Sequence, residues 1–169
     1  EHLYALSAID GKLLWKFKSE GGPFDASVAL ADLDGDGQLE VLAADSSTGT
    51  LFCLNGTGEV VWKHKLPNST DSPPSVADID GDGKLDVVAS SWTRGNRFVW
   101  YRNPGKDGFA KEWPAHVIED KLSETRTIWV GDFNGDGRPD VLGTASSASL
   151  VVWYENVGKP GSLPAWKKH

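Results

Sequence analysis

The sequence predicts an all-β fold, and three observations support this prediction. The apolar runs are short, rich in β-branched residues and bounded by turn-forming residues, as in Val87-Val88-Ala89 and Leu150-Val151-Val152-Trp153. No stretch keeps the 3.6-residue period of an amphipathic helix. The 169 residues include 19 Gly and 8 Trp, and the chain repeats itself internally, as stacked β-units do.

An acidic nonapeptide defines the repeat. It occupies residues 32–40, 78–86 and 132–140, so successive copies begin 46 and 54 residues apart. Each copy is followed by a strand-like run, a polar turn and a second run. A Trp within an apolar or basic run recurs in the same register, at Trp15, Trp62, Trp113 and Trp166. With the short run before each nonapeptide, every unit contains four expected strands.

Four-stranded units of roughly 40–50 residues are typical of β-propeller blades. We therefore expect one β-propeller segment over residues 1–169, with a partial blade in 1–20, blades in 21–66 and 67–117, and a truncated blade in 118–169. Closed propellers use roughly 4–8 blades, whereas this sequence supplies about three and a half. We expect either a piece of a larger propeller or a ring closed by self-association.

Composition excludes several classes of partner. The net charge of −7 and the absence of a basic block argue against nucleic acid and anionic membrane surfaces. No apolar run approaches the roughly 20 residues of a membrane helix, so we expect no membrane insertion. The single cysteine, Cys53, permits no internal disulfide, and no Cys/His cluster indicates zinc.

The nonapeptides have the composition of a metal-binding loop. Each has oxygen-bearing side chains at positions 1, 3, 5 and 9, and glycines at positions 4 and 6 that allow a tight backbone turn. Position 7 shares no side-chain chemistry among the copies and offers only its carbonyl. A set of oxygen donors without nitrogen or sulfur suits a hard cation, Ca²⁺ before Mg²⁺. A solvated turn would explain one copy, but three copies gather 11 of the 24 acids and indicate a counter-ion.

An EF-hand has a similar beginning but a different end. Its loop requires a bidentate Glu at position 12 and a following helix. Here position 12 is Ala43, Ala89 or Gly143, each inside a strand-like run. The sequence therefore argues against an EF-hand.

The nonapeptide resembles the DxDGDGxxD calcium loop of the FG-GAP/VCBS repeat family, the integrin-α-like β-propellers. The resemblance implies three Ca²⁺ sites, in which position 7 ligates through its carbonyl. The implied ligands are Asp32, Asp34, Asp36, Gln38 and Glu40; Asp78, Asp80, Asp82, Lys84 and Asp86; and Asp132, Asn134, Asp136, Arg138 and Asp140. Glu40 is longer than the usual Asp and Asn134 lacks a charge, so we expect a distorted first site and a weaker third site. Residues 100–105 and 153–158 resemble the WYENPG turn of bacterial members.

The first residues resemble a second kind of propeller. Residues 3–15, LYALSAIDGKLLW, are similar to the Trp-docking repeat of pyrroloquinoline-quinone-type propellers, and residues 54–62 resemble this repeat more loosely. In that family the repeat packs blades together. The resemblance therefore implies a fold and no bound quinone.

One face near the propeller axis is the candidate binding surface. Trp129 stands where the other copies have Ala29 and Ser75. With Arg126 and Trp92 it would form a surface for a carbohydrate or protein ligand, since aromatic and Arg side chains dominate such sites. The alternative is that the Trp129 indole fills a wider gap between blades.

Two functional classes fit the sequence. One is a secreted, calcium-stabilised propeller for adhesion or carbohydrate recognition, with structural calcium. The other is a segment of a polysaccharide lyase or sugar-modifying enzyme whose catalytic residues lie mostly outside this chain. We favour the non-enzymatic class, because no nucleophile elbow, phosphate loop or HExxH motif is present. Calcium loops with the affinities of extracellular modules suggest an extracellular or periplasmic location.

Overall fold

The computed structural model describes residues 2–92 and 95–169 and is built from β-strands, with one 3-10 turn at Lys106–Gly108. The all-β prediction is confirmed. The strands are β1 His2–Leu6, β2 Leu13–Lys18, β3 Ala29–Ala31, β4 Glu40–Ala44, β5 Thr50–Leu54, β6 Val60–Lys65, β7 Ser75–Ala77, β8 Asp86–Ser91, β9 Arg97–Tyr101, β10 Ala115–Glu119, β11 Thr125–Gly131, β12 Asp140–Ala145, β13 Leu150–Asn156 and β14 Trp166–Lys168. Within the described residues, no helix has the length and hydrophobicity needed to cross a membrane.

The strands form four antiparallel meanders that follow one another along the chain. The first sheet pairs β1 with β2, and the other three are the four-stranded sheets β3 to β6, β7 to β10 and β11 to β14. One half blade and three four-stranded sheets agree with the expected blade architecture of a propeller segment, and the boundaries assigned to the blades stay a prediction. The described sheets form an open stack, with strand order equal to chain order in every sheet.

Each hydrophobic core lies between two neighbouring sheets. One cluster joins Leu42 and Trp62 of the second sheet to Tyr101 of the third, and another joins Trp100 of the third to Tyr154 of the fourth. Successive side chains in a strand point to opposite faces, so adjacent residues such as Trp100 and Tyr101 serve different cores. The sequence period of two is therefore hidden, because both faces of a middle blade are apolar.

The register supports the equivalence of the repeats. Leu54, Tyr101 and Tyr154 face Val41, Val87 and Val141 in the corresponding strand pairs. Cys53 pairs with Trp62 as Ala5 pairs with Trp15.

Trp113 departs from the expected pattern. Trp15, Trp62 and Trp166 lie in strands, but β10 begins only at Ala115, so the prediction of a strand around Trp113 is wrong. Pro114 explains the difference, because proline lacks an N–H and restricts the residue before it. The Trp113 indole is still buried 4.9 Å from the Trp62 ring, and its Nε1 donates to the Phe109 carbonyl at 2.9 Å.

The fourth sheet has one open face. In the third sheet, Ser75 faces the next blade and donates its hydroxyl to the Ile128 carbonyl at 2.9 Å. Trp129 occupies the corresponding position in β11, where it pairs with Leu142 as Ser75 pairs with Val88, and it is 58% exposed. The face that packs against a following blade in the earlier repeats is therefore uncovered here.

Candidate metal centres

Three acid loops connect the first and second strands of the four-stranded sheets: the first loop is residues 32–40, the second 78–86 and the third 132–140. The glycines at positions 4 and 6 have positive φ in all three, for example +73° at Gly35 and +88° at Gly37. A residue with a Cβ would be strained there. The expected tight turn is confirmed.

The carboxylate at position 1 organises each turn from inside. Asp32 Oδ1 accepts the N–H groups of Gly35 at 2.8 Å and Asp36 at 3.1 Å, and Oδ2 accepts that of Gly37 at 3.0 Å. Asp132 repeats these three bonds, and the Gly137 N–H is the main cause that holds the pKa of Asp132 below its usual value. A charged carboxylate is thus built into the centre of the loop.

The first loop brings three acids together. Asp32, Asp34 and Asp36 each offer a carboxylate oxygen, and these oxygens lie within 4.8 Å of one another. Such a set of oxygens fits a divalent hard cation. Glu40 lies outside this group of three, and its Oε2 accepts the Leu33 N–H at 2.8 Å; its ligation of a metal stays a prediction. Burial, with the nearby acids adding to it, raises the pKa of Glu40.

The second loop uses a different combination of its acids. Oxygens of Asp78, Asp80 and Asp86 converge within 4.8 Å. Asp82, the position 5 residue, instead forms ion pairs with Lys84 and Arg102. Burial raises the pKa of Asp86 to about 6, as expected for a carboxylate held away from water beside other acids.

The third loop carries less negative charge. In the described residues, a group of three converging carboxylates is found in the first and second loops but not in the third, where Asn134 replaces an acid. The Asn134 amide donates to Asp136 Oδ2 at 2.9 Å, and the Arg138 guanidinium pairs with the same carboxylate.

Position 7 behaves alike in all loops. The N–H groups of Gln38, Lys84 and Arg138 donate to the carboxylate at position 5 at 2.7, 3.0 and 2.9 Å. Ligation through their carbonyls stays a prediction.

Position 9 has a structural role that the sequence did not reveal. Asp86 Oδ2 accepts the Ile79 N–H at 3.1 Å, and its Oδ1 accepts the Asn103 N–H at 2.8 Å. The Asn103 amide then reaches the preceding blade and donates to the Leu33 carbonyl at 2.7 Å. Asn103 thus ties the second acid loop to its own sheet and the first acid loop to the sheet that follows it.

The same connection recurs one blade later. The Asn156 N–H donates to Asp140 Oδ1 at 2.8 Å, and its amide donates to the Ile79 carbonyl at 2.9 Å. We call Asn103 and Asn156 the latch asparagines. The second sheet has Gly56 in this place, and the Trp15 indole donates to the Gly56 carbonyl at 3.0 Å instead. The sequence signal that could have identified the latch asparagines is the Asn shared by the turns at residues 100–105 and 153–158.

Two of the three expected binding-face residues meet. The Arg126 guanidinium lies over the Trp92 ring at 3.8 Å, and its Nη1 is 2.8 Å from Asp71 Oδ2. A cleft of about 180 Å³ is lined by Asp71, Ser72, Arg126 and Thr127. Trp129 lies apart from this cleft, on the open sheet face described above, where it is 58% exposed; its role in ligand binding or in packing against another blade stays a prediction.

Comparison with known families agrees with this geometry. The model of the FG-GAP-like repeat matches residues 32–89 and 78–143, and that of the FG-GAP repeat matches residues 126–162. No curated protein matches the chain. The matched segments cover most of the chain and include all three acid loops. This chain therefore belongs to the FG-GAP-like repeat family of β-propeller modules.

Proposed function

We propose that the chain is a calcium-stabilised propeller module of an exported protein, in which the three acid loops hold structural Ca²⁺. The observation that carries the proposal is the convergence of Asp32, Asp34 and Asp36 oxygens in the first loop. Oxygen donors alone favour Ca²⁺ over the transition metals, and a flexible loop with several carboxylates favours it over Mg²⁺. FG-GAP repeats are typical of extracellular proteins. Calcium loops with the affinities of extracellular modules would be occupied there.

The negative charges of the acid loops need a counter-ion, which a bound cation would supply. The first loop holds four carboxylates within nine residues, and the described residues provide it with no ion pair from a Lys or Arg side chain. Like charges so close oppose the folded state, and a bound cation removes this cost. Calcium would therefore stabilise the fold rather than take part in a reaction.

A thermal melt in Ca²⁺ and in excess chelator tests the proposal. A ligand at about 100 times its Kd stabilises the folded state by about 2.7 kcal/mol per site, so Ca²⁺ should raise the melting temperature clearly. Asp34→Asn should reduce this rise. Asp120→Asn removes the same charge from an exposed position outside the loops and should keep it. Identical melting curves in Ca²⁺ and chelator would overturn the proposal.

The partner is proposed to be a carbohydrate or protein that binds at the Arg126 and Trp92 face. A guanidinium stacked on an indole beside a small cleft offers hydrogen-bond donors and an aromatic surface together. Arg126→Ala should abolish ligand capture on glycan or peptide arrays without changing the calcium response. Turnover of polysaccharides to new reducing ends or unsaturated products would favour the lyase or sugar-modifying alternative instead.

The open face around Trp129 is proposed to pack against a further blade, from a longer chain or from a second copy. The support is its equivalence to the Ser75 face, which already packs against a blade. Light scattering of the purified chain tests the second copy: Trp129→Ser should shift an oligomer toward monomer.

A further inference from the structure

Arg102 places a positive charge on the second acid loop. Its Nε lies 2.6 Å from Asp80 Oδ2, and its Nη2 lies 3.1 Å from Asp82 Oδ2. The Asp80 side chain is completely buried and that of Asp82 is 14% exposed. Lys84 pairs with the same Asp82 carboxylate. Two basic side chains therefore hold the acids at positions 3 and 5, both expected calcium ligands.

The other two loops lack this arginine. Register equivalence places Asn55 and Glu155 where the third sheet has Arg102, directly after Leu54 and Tyr154. Asn55 caps its own turn by accepting the N–H groups of Thr57 and Glu59 at 3.0 Å. Glu155 pairs with Lys167 and with His169 of its own sheet.

The loops thus differ in how much of their negative charge is already compensated. The first has four carboxylates, and its position 7 residue, Gln38, offers Asp36 only a neutral amide at 3.4 Å. The second has four carboxylates with two basic partners, and the third has three with one, Arg138. The affinity of a calcium loop follows its ligand charge.

We infer that Arg102 is a built-in counter-ion that keeps the second loop folded without metal and makes it bind Ca²⁺ more weakly than the first loop. The inference rests on the proposed calcium function and extends it to the relative affinities of the first and second loops. The sequence expectation was different: a first site distorted by Glu40 and a third site weakened by Asn134.

The surroundings of Arg102 make its displacement costly. The next residue, Asn103, is fixed through its N–H to Asp86 and through its amide to Leu33 and Leu85, so the backbone at Arg102 has little freedom. Calcium at Asp80 and Asp82 must break charge-assisted bonds that are roughly twice as strong as neutral ones.

Calcium titration of matched variants tests the inference. Equilibrium dialysis with Ca²⁺ alone would be carried out on the unmodified chain, on Arg102→Gln, and on Arg97→Gln. Arg97 is an exposed residue at the start of strand β9, which ends one residue before Arg102, and its replacement removes the same charge. Arg102→Gln should tighten the second-loop site at least about tenfold, whereas Arg97→Gln should leave that site unchanged. Asn55→Arg should weaken the tightest site by a similar factor, because it brings the same cation to the first loop.

A second readout separates this role from simple packing. In excess chelator, Arg102→Gln should melt below the unmodified chain, since Asp80 and Asp82 lose their counter-ion, and saturating Ca²⁺ should reduce the difference. An unchanged or weaker site in Arg102→Gln, or an equal melting deficit in chelator and Ca²⁺, would overturn the inference alone. Absence of Ca²⁺ binding in every variant would overturn the proposed function itself, and the inference with it.

Discussion

Asn103 joins two blades through its side chain, and its replacement by alanine tests how far this joint stabilises the stack. The side chain is 1% exposed. Its Nδ2 donates to the carbonyls of Leu33 at 2.7 Å and Leu85 at 2.9 Å, and its Oδ1 accepts the Gly105 N–H at 2.9 Å. Asn103→Ala removes all three bonds and leaves the buried Leu33 carbonyl without this donor.

The expected cost follows from the burial of those groups. An unsatisfied buried polar group costs about 1–3 kcal/mol, and partly exposed groups recover some of this from water. The Leu33 carbonyl lies in the buried interface, whereas the Leu85 and Gly105 bonds are partly exposed. We expect Asn103→Ala to lower the free energy of unfolding by about 3 kcal/mol, equivalent to a fall of about 6–12 °C in Tm for a chain of this size.

Urea unfolding at constant Ca²⁺ measures this difference. The midpoint should fall while the m value stays constant, because the surface exposed on unfolding is unchanged. Asn103→Asp separates hydrogen bonding from packing, since it keeps the shape but removes both amide donors and sets a carboxylate against two carbonyls. It should be at least as destabilising as alanine. A loss below about 0.5 kcal/mol for Asn103→Ala, or a neutral Asn103→Asp, would refute the reasoning.

Three further predictions concern other parts of the chain. Burial would raise the pKa of Glu119, but bonds from Lys168, from a tyrosine hydroxyl and from a backbone N–H lower it from 4.5 to about 2. The stability that Glu119 contributes is therefore complete above pH 4.5 and is lost as the pH falls toward 2. Glu119→Gln should flatten the pH dependence of Tm in that window. Gly143→Ala should destabilise the chain by about 1–3 kcal/mol in urea unfolding, because a Cβ there would overlap the buried Phe98 ring. Cys53 is fully buried, and burial raises the pKa of its thiol, so a thiol reagent should label it only at the rate of unfolding.

Each of these predictions has a distinct contrary result. The account of Glu119 fails when its glutamine variant and the unmodified chain lose the same stability between pH 4.5 and 2. Gly56→Ala serves as the control for Gly143→Ala, because a Cβ at Gly56 has only the Gln38 side chain within 4 Å; equal effects of the two changes would remove the steric argument. Rapid labelling of Cys53 in the native state would show that the second sheet opens locally.

Local patterns in the sequence were sufficient to predict the repeat and the shape of the acid loops. Strands in this chain are short runs next to turn residues, and the positive φ of Gly35 and Gly37 follows from the need for a tight turn. The register of the repeats could be read from the spacing of the nonapeptides because each unit forms its own antiparallel meander.

Contacts between units were not predictable in the same way. The latch between Asn103 and Leu33 joins two blades and residues 70 positions apart. The pairing of Arg102 with Asp80 lies within one blade, but it joins residues 22 positions apart that no local pattern connects. The strand expected at Trp113 is absent because Pro114 restricts the backbone conformation of the residue before it, although the Trp113 indole is still buried. Trp129 and Arg126 are three positions apart, but a register shift between Thr125 and Ile128 interrupts the regular alternation of β11, so the sequence could not show which way the two side chains point.

The calcium account can be tested most directly by anomalous diffraction from crystals grown in Ca²⁺. The account predicts a peak coordinated by Asp32, Asp34 and Asp36 at low Ca²⁺, with the peak at Asp78 and Asp80 appearing only at a higher concentration. Loops that show no anomalous peak at saturating Ca²⁺, with the acids hydrogen-bonded only to protein and water, would contradict it.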